Sequence, residues 1–189
     1  MIRALLFLSV SVSSVFAAST VEHRTKRPEL FHPDTGMRVS RQRAPTPDDV
    51  PGAVRVDAHQ VKDLTTSGAL LLDVGPALQS RFDELDGTWL VPKGHRSIPG
   101  AVWLPEVGRG ELEPIMQRYL VANLSKLASD TDRAIVVFCM ADCWMSWNAV
   151  QRIHALGYPN VFWFAEGVDG WLDQGWDLEA IEPVPVAVE

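Results

Sequence analysis

Cysteine is scarce in this chain, which holds two, Cys139 and Cys143, among 189 residues. Any thiol chemistry therefore has a single place to occur. Cations are also in deficit: 17 Lys and Arg stand against 24 Asp and Glu, a formal net charge of −7. That balance excludes nucleic acid as an expected partner, because phosphate binding requires clustered Lys and Arg. Beyond the N-terminus no apolar run approaches the ~20 residues needed to span a bilayer. No internal repeat is visible. The histidines, His23, His32, His59, His95 and His154, are scattered without ligand spacing, so no metal site is expected, since one needs about four ligands. What remains is a chain with 47% hydrophobic and 22% charged residues, enough for a packed core and unlike a disordered or membrane-embedded protein.

The N-terminus reads as an export signal. Arg3 supplies the positive start, residues 4–15 the apolar core, and Val15-Phe16-Ala17 a small-x-Ala cleavage site. Cleavage after Ala17 and a periplasmic product without a membrane span are the expectations. Residues 18–52 then form an arm. Pro28, Pro33, Pro45, Pro47 and Pro51 argue for extended or irregular chain, with a turn at Pro33-Asp34-Thr35-Gly36 and a short edge strand at residues 37–39. Its basic residues, Arg24, Lys26, Arg27, Arg38, Arg41 and Arg43, suit a solvated arm over an acidic body; a segment docking a partner protein is the sharper alternative.

From residue 53 to 182 strands and helices alternate. Strands are expected at residues 54–56, 69–74, 102–104, 134–138 and 161–164. Asp57 is placed to cap a helix over residues 58–66, and Gly68 and Gly157 to end helices. Residues 111–127 repeat apolar side chains at helical spacing, and a helix is expected over residues 143–156. The runs 69–74 and 134–138 are continuously apolar, as strands buried on both faces are. Five such strands with intervening helices imply an α/β protein with a parallel sheet covered on both sides. The connection 75–97 is unusually long, and residues 183–189 form a Pro/Val-rich tail.

Chemistry in such a sheet sits where strands hand over to helices, and both cysteines stand at one such handover. A thiol at a helix N-terminus has its thiolate stabilised by unpaired N–H groups and the helix dipole. Asp142 opposes this unless it serves as the helix cap. Residues four apart can lie ~6 Å apart at Cα, within disulfide reach. In an oxidising compartment pairing is the expectation, with two inert buried thiols as the alternative. The loops after the other strands, from Gly75, at 105–110 and at 165–169, share the same edge. They nominate Glu106, Arg109, Glu166 and Asp169 as neighbours, while His95 is expected at the opposite edge. Trp103, Trp147 and Trp163 read as core, and Trp144 as lining a pocket or an interface.

Several stretches in order carry a resemblance: Leu71-Leu72-Asp73-Val74, Ile98-Pro99-Gly100-Ala101-Val102, Ile135-Val136-Val137-Phe138-Cys139, Leu156-Gly157-Tyr158-Pro159-Asn160-Val161 and Glu166-Gly167-Val168-Asp169-Gly170-Trp171. Together they resemble the rhodanese-like domain, a five-stranded parallel sheet whose catalytic cysteine follows the fourth strand. Cys139 takes that place. The run from Cys139 through Cys143-Trp144 to Ala149, with Arg27-Pro28-Glu29-Leu30 in the arm, is similar to a narrower exported group, the PQQ-dependent catabolism-associated CXXCW motif proteins. That resemblance implies association with pyrroloquinoline-quinone-dependent oxidation of alcohols. A periplasmic quinoprotein dehydrogenase or cytochrome would be the partner, and this chain would bind no cofactor covalently.

The loop departs from the common rhodanese pattern. Met140, Ala141 and Asp142 follow Cys139, no Arg or Lys occurs before Arg152, and Met145 stands where related phosphatases carry arginine. These departures count against thiosulfate or phosphate turnover. Cys139 and Cys143 are the candidate catalytic pair, with Asp142, Trp144, Ser146, Arg109 and Glu166 as candidate lining. Thiol–disulfide or sulfur-carrier chemistry is the first functional reading. A catalytically silent binding module is the second, and a sulfurtransferase using Cys139 the third.

Overall fold

Two strands that are apolar at every position must sit inside a sheet with cover on both faces. The structure, a computed structural model, shows this arrangement, and it describes residues 13–41, 43–77, 81–91 and 94–188. Strands β2 (Leu70–Asp73) and β5 (Ile135–Phe138) are buried throughout. With β1 (Val54–Arg55), β4 (Val102–Trp103) and β6 (Val161–Phe164) they make one parallel sheet in the order β1-β6-β5-β2-β4. Phe138 pairs with both Asp73 and Phe164, and Asp73 with Trp103. The strands therefore end level, with Cys139 leaving the middle of the sheet.

Alternation along the strands separates two cores. Leu70, Leu72, Ile135, Val137 and Trp163 face helices α3 (Pro114–Leu127) and α4 (Trp144–Ala155). Leu71, Val136, Phe138 and Phe164 face α2 (Ala58–Thr66) and α5 (Gly167–Leu172). Asp57 caps α2 in a reciprocal capping box with Gln60. Helix α3 starts three residues later than its apolar spacing suggests, because Pro114 takes a first-turn position where a missing N–H costs nothing. Among the described residues no helix is long and apolar enough to cross a membrane.

The first part of the arm is helical, not irregular: α1 runs Ser13–Lys26 and stops before Pro28, where a 3-10 turn, Pro28–Leu30, begins. The prolines act only from that point on. The proposed cleavage point after Ala17 falls within α1, and residues 1–12 of the proposed signal lie outside the described residues. Nor is the arm's basic cluster wholly solvated. Arg38 has no exposed surface; it bridges to Phe31, lies over that ring at 5.3 Å, and donates from Nη1 to the Pro45 carbonyl. Burial, reinforced by the nearby charge of Arg27, pushes its pKa down to about 10.

Two further pieces were not legible in the sequence. Strands β3 (Arg96–Ser97) and β7 (Glu179–Ala180) form a separate antiparallel pair, two residues each and without apolar alternation. The C-terminal segment packs along the sheet edge: Pro183 bridges to Trp103, and the Val184 carbonyl accepts bonds from Trp89 Nε1 and the Tyr119 hydroxyl.

One buried amide joins the layers. Asn148, on α4 and without exposed surface, accepts from the Arg38 N–H at 2.9 Å and donates to the Arg38 and Gly108 carbonyls, each at 2.9 Å. Replacing it by leucine, of similar shape, strands three backbone groups in the core. At roughly 1 kcal/mol for each bond, Asn148→Leu should lower unfolding free energy by about 3 kcal/mol in urea titration. A change under about 1 kcal/mol would show that the arm is held elsewhere.

Candidate active site at the carboxyl edge of the sheet

Cys139 is the first residue beyond β5, and the chain must turn there to enter α4. The turn is braced from the β6–α5 side. The Cys139 carbonyl accepts from Val168 N–H at 3.0 Å, Met140 bridges to Gly167, and Ala141 N–H donates to Asp169 Oδ2 at 2.8 Å. Gly167 has φ +54°, and a Cβ there would stand 2.3 Å from the Cys139 oxygen, so only glycine fits this contact. Asp142 turns the chain through φ +58°, a left-handed conformation that Asp tolerates better than most residues. It stays exposed and is not the helix cap; Cys143 holds that position with extended backbone and no side-chain capping hydrogen bond.

Cys139 and Cys143 are joined as a disulfide, with Cα atoms 6.4 Å apart and each residue about 2% exposed. The link runs from the end of the central strand to the N-cap of α4. In the reduced state both sulfurs would lie near the positive end of that helix, which favours thiolate.

The other candidate residues surround this link in different ways. Trp144 is buried, donates from Nε1 to the Arg41 carbonyl at 2.6 Å, and lines a hollow of about 330 Å³ with Phe31, His32, Val39, Arg109 and Glu111. Ser146 is buried beneath the loop, donating to the Cys143 carbonyl at 3.3 Å and accepting from Trp163 Nε1 at 3.0 Å. It fixes the first turn of α4. Arg109 pairs with the buried Glu106 at 2.5 Å. Glu166 accepts from Arg55 Nη2 at 2.6 Å and, with Asp48, Arg55 and Asp142, lines a second hollow of about 280 Å³. Burial pulls the Arg55 pKa down, but the Glu166 and Asp48 carboxylates outweigh it and the net shift is upward.

His95 departs from its expected place at the far edge. It bonds through Nε2 to Asp73 Oδ2 at 2.9 Å and stacks on Trp103 with ring centres 3.8 Å apart. Asp73 closes β2 level with Phe138, so His95 lies at the same edge as Cys139. Its segment does not run straight into β4; the β3–β7 pair folds it back. The Asp73 side chain follows Leu71 onto the α2–α5 face, whereas Cys139 follows Val137 onto the α3–α4 face. Asp73 also takes the Ser97 hydroxyl and Gly75 N–H, both at 2.7 Å.

Sequence reasoning passed over the residue that brings positive charge to the cysteine loop. Arg43 of the arm bridges to Cys143, donates to the Ala141 carbonyl at 3.1 Å, and lies 3.5 Å from Asp169. Arg43 belonged to the basic cluster already noted, but nothing local in the sequence points that cluster at the cysteines. Arg152 ties α4 to the 105–110 loop through the Val107 and Gly110 carbonyls, and burial pushes its pKa down to about 10. Among the described residues no three His, Cys, Asp or Glu side chains are grouped to hold a metal ion.

A parallel five-stranded sheet with a cysteine leaving its central strand toward a helix N-terminus defines a rhodanese-type α/β domain. The Rhodanese-like domain family matches residues 57–174, and the chain belongs to that family. Among solved structures it is similar to a thiosulfate sulfurtransferase from Pseudomonas aeruginosa, at 25% identity and TM-score 0.49 over 72% of this chain. It spans 22% of that enzyme's length. It is also similar to the rhodanese-like domain of an Anabaena protein, at 22% identity and TM-score 0.45, over 67% of this chain and 79% of that one. The polysulfide-sulfur transferase of Wolinella succinogenes shows 14% identity and TM-score 0.45, over 92% and 93% of the two chains. No curated protein matches the chain.

Alkylating the native protein should add nothing to its mass, whereas reduction before alkylation should add two groups. Two labelled thiols without reductant would contradict the pairing.

Proposed function

We propose that this chain is an exported, periplasmic accessory protein of PQQ-dependent carbon-source catabolism, and that its Cys139–Cys143 pair cycles between disulfide and dithiol. The observation that carries the reading is the disulfide itself. It occupies the sulfur that a rhodanese must present as a free nucleophile, and a pair of this kind exchanges two electrons with a dithiol instead. The charge around the loop agrees. Arg43, Arg55 and Arg109 each sit against a carboxylate, Asp169, Glu166 and Glu106 respectively, an arrangement poorly suited to cradling an anionic sulfur donor. Export would place the pair in an oxidising compartment, where it forms readily. The quinone in this reading is the cofactor of the partner dehydrogenase, and this chain acts on a protein partner, a dehydrogenase or a cytochrome. Reduced, Cys139 would also be able to carry a sulfane sulfur, with Cys143 releasing it.

The hollow lined by Trp144 and the arm favours a second reading, a silent module that binds its partner without turnover. Growth on an alcohol oxidised by a quinoprotein separates the two. Cys139→Ser or Cys143→Ser should each reduce growth to the level of a deletion strain, with no thiosulfate:cyanide turnover in the purified protein. Undiminished growth with both serines would favour the binding module, and turnover lost in Cys139→Ser would establish a sulfurtransferase.

A further inference from the structure

The arm does not merely lie near the disulfide; it is paired to the loop that carries it. It is anchored on one side by Arg38, held by Asn148, and on the other by Asp49, whose carbonyl accepts from Trp147 Nε1 at 2.9 Å. Between these buried anchors, Arg43, Pro45 and Asp48 are exposed. Arg43 nevertheless forms an antiparallel bridge with Cys143, and Ala44 N–H donates to the Asp142 carbonyl at 2.8 Å. Arg43 also reaches the Ala141 carbonyl and Asp169. Pro47 is buried and the Pro45 carbonyl is held by the buried Arg38, so it is the exposed Arg43 with Ala44 that can lift from the loop, as a strap, without disturbing the core.

Addition of an extended chain to an open backbone edge is a general mode of peptide recognition. We infer that the backbone edge at the Asp142 carbonyl, beside Cys143, is the docking edge for an extended, basic segment of a dithiol protein, and that Arg43 and Ala44 fill that edge until the partner displaces them. The inference rests on the redox reading proposed above. The charge requirement comes from what the strap supplies: Arg43 is its cation, seated against Asp169, and the adjoining hollow carries Asp48, Asp142 and Glu166 around the already paired Arg55. Once the strap has lifted, a partner thiolate attacks one sulfur of the pair, the Cys139–Cys143 bond breaks, and a mixed disulfide forms while the departing cysteine takes up a proton. The partner's second thiolate then attacks that mixed disulfide. The second cysteine leaves as a thiol, and the partner leaves as a disulfide. Two electrons and two protons have passed to this chain.

The test measures the rate at which the oxidised full chain is reduced, by quenching and alkylation. Dithiothreitol should reduce Ala44→Pro, which lacks the N–H bonded to Asp142, about two- to tenfold faster than wild type. Arg43→Gln should move the rate the same way by a smaller factor, and it decides the matter if the proline variant fails a thermal-melting check of its fold. On either variant, at ~0.15 M salt where charges beyond ~8 Å are screened, the dithiol peptide Cys-Arg-Thr-Cys should react severalfold faster than Cys-Glu-Thr-Cys. Unchanged dithiothreitol rates in the folded variants, or equal rates with the two peptides, would overturn the inference. These rates do not depend on growth. A failed strap test beside growth that still requires both cysteines refutes only the strap, whereas growth that ignores the cysteines refutes only the redox reading.

Discussion

The carboxamide of Asn148 is the interaction on which the arrangement at the site depends. It lies inside the core on α4, the helix whose N-cap is Cys143, and it is saturated by backbone groups of the arm and of the 105–110 loop. An amide is suited to this position because it accepts and donates at once, so two unpaired strands of chain can be joined to a helix without a buried charge. Gly108 completes the contact: a Cβ there would stand 2.1 Å from the Met145 oxygen. The helix, the Arg38 end of the arm and the loop after β4 are therefore tied together, and the cysteines are held at their junction.

The disulfide is not what holds the fold together. Its ring encloses so few residues that the loss of chain entropy it imposes falls at the low end of the ~2–4 kcal/mol usual for disulfides. The two cores flanking the sheet, with Trp147 and Trp163 in one and Phe138 and Phe164 in the other, bury far more apolar surface than such a link could replace. A bond that contributes little to folding, set at the end of the central strand and against a helix N-terminus, can be opened and closed without loss of the domain. That property separates a redox pair from a structural staple.

How much was legible in the sequence follows from the range of the interactions concerned. Strands β2, β5 and β6 and helices α2 and α4 were read to within a residue or two, because continuous apolar runs, the Asp57 cap and the glycine stops are local signals. The strand-to-helix turn that carries Cys139 and Cys143 was legible for the same reason. The placement of Arg38, Arg43 and His95 was not. Arg38 is buried by Phe31 and by an asparagine 110 residues away, Arg43 meets a loop about a hundred residues on, and His95 is turned to Asp73 by pairing with a strand near the C-terminus. In each case the residue's own neighbourhood signals a solvated charge, and only the tertiary fold decides otherwise. Helix α1 was missed differently: proline spacing was applied to residues that precede the first proline.

The central claim is that Cys139 and Cys143 form a pair that opens and closes within an intact domain. Equilibrating the protein in graded ratios of reduced to oxidised dithiothreitol, while counting thiols and recording far-UV circular dichroism on the same samples, tests it most directly. The account predicts a reversible transition between zero and two thiols per chain, with the circular dichroism unchanged and the same curve traced in both directions. A transition that unfolds the protein, or that does not reverse, would show the disulfide to be structural and would contradict the account.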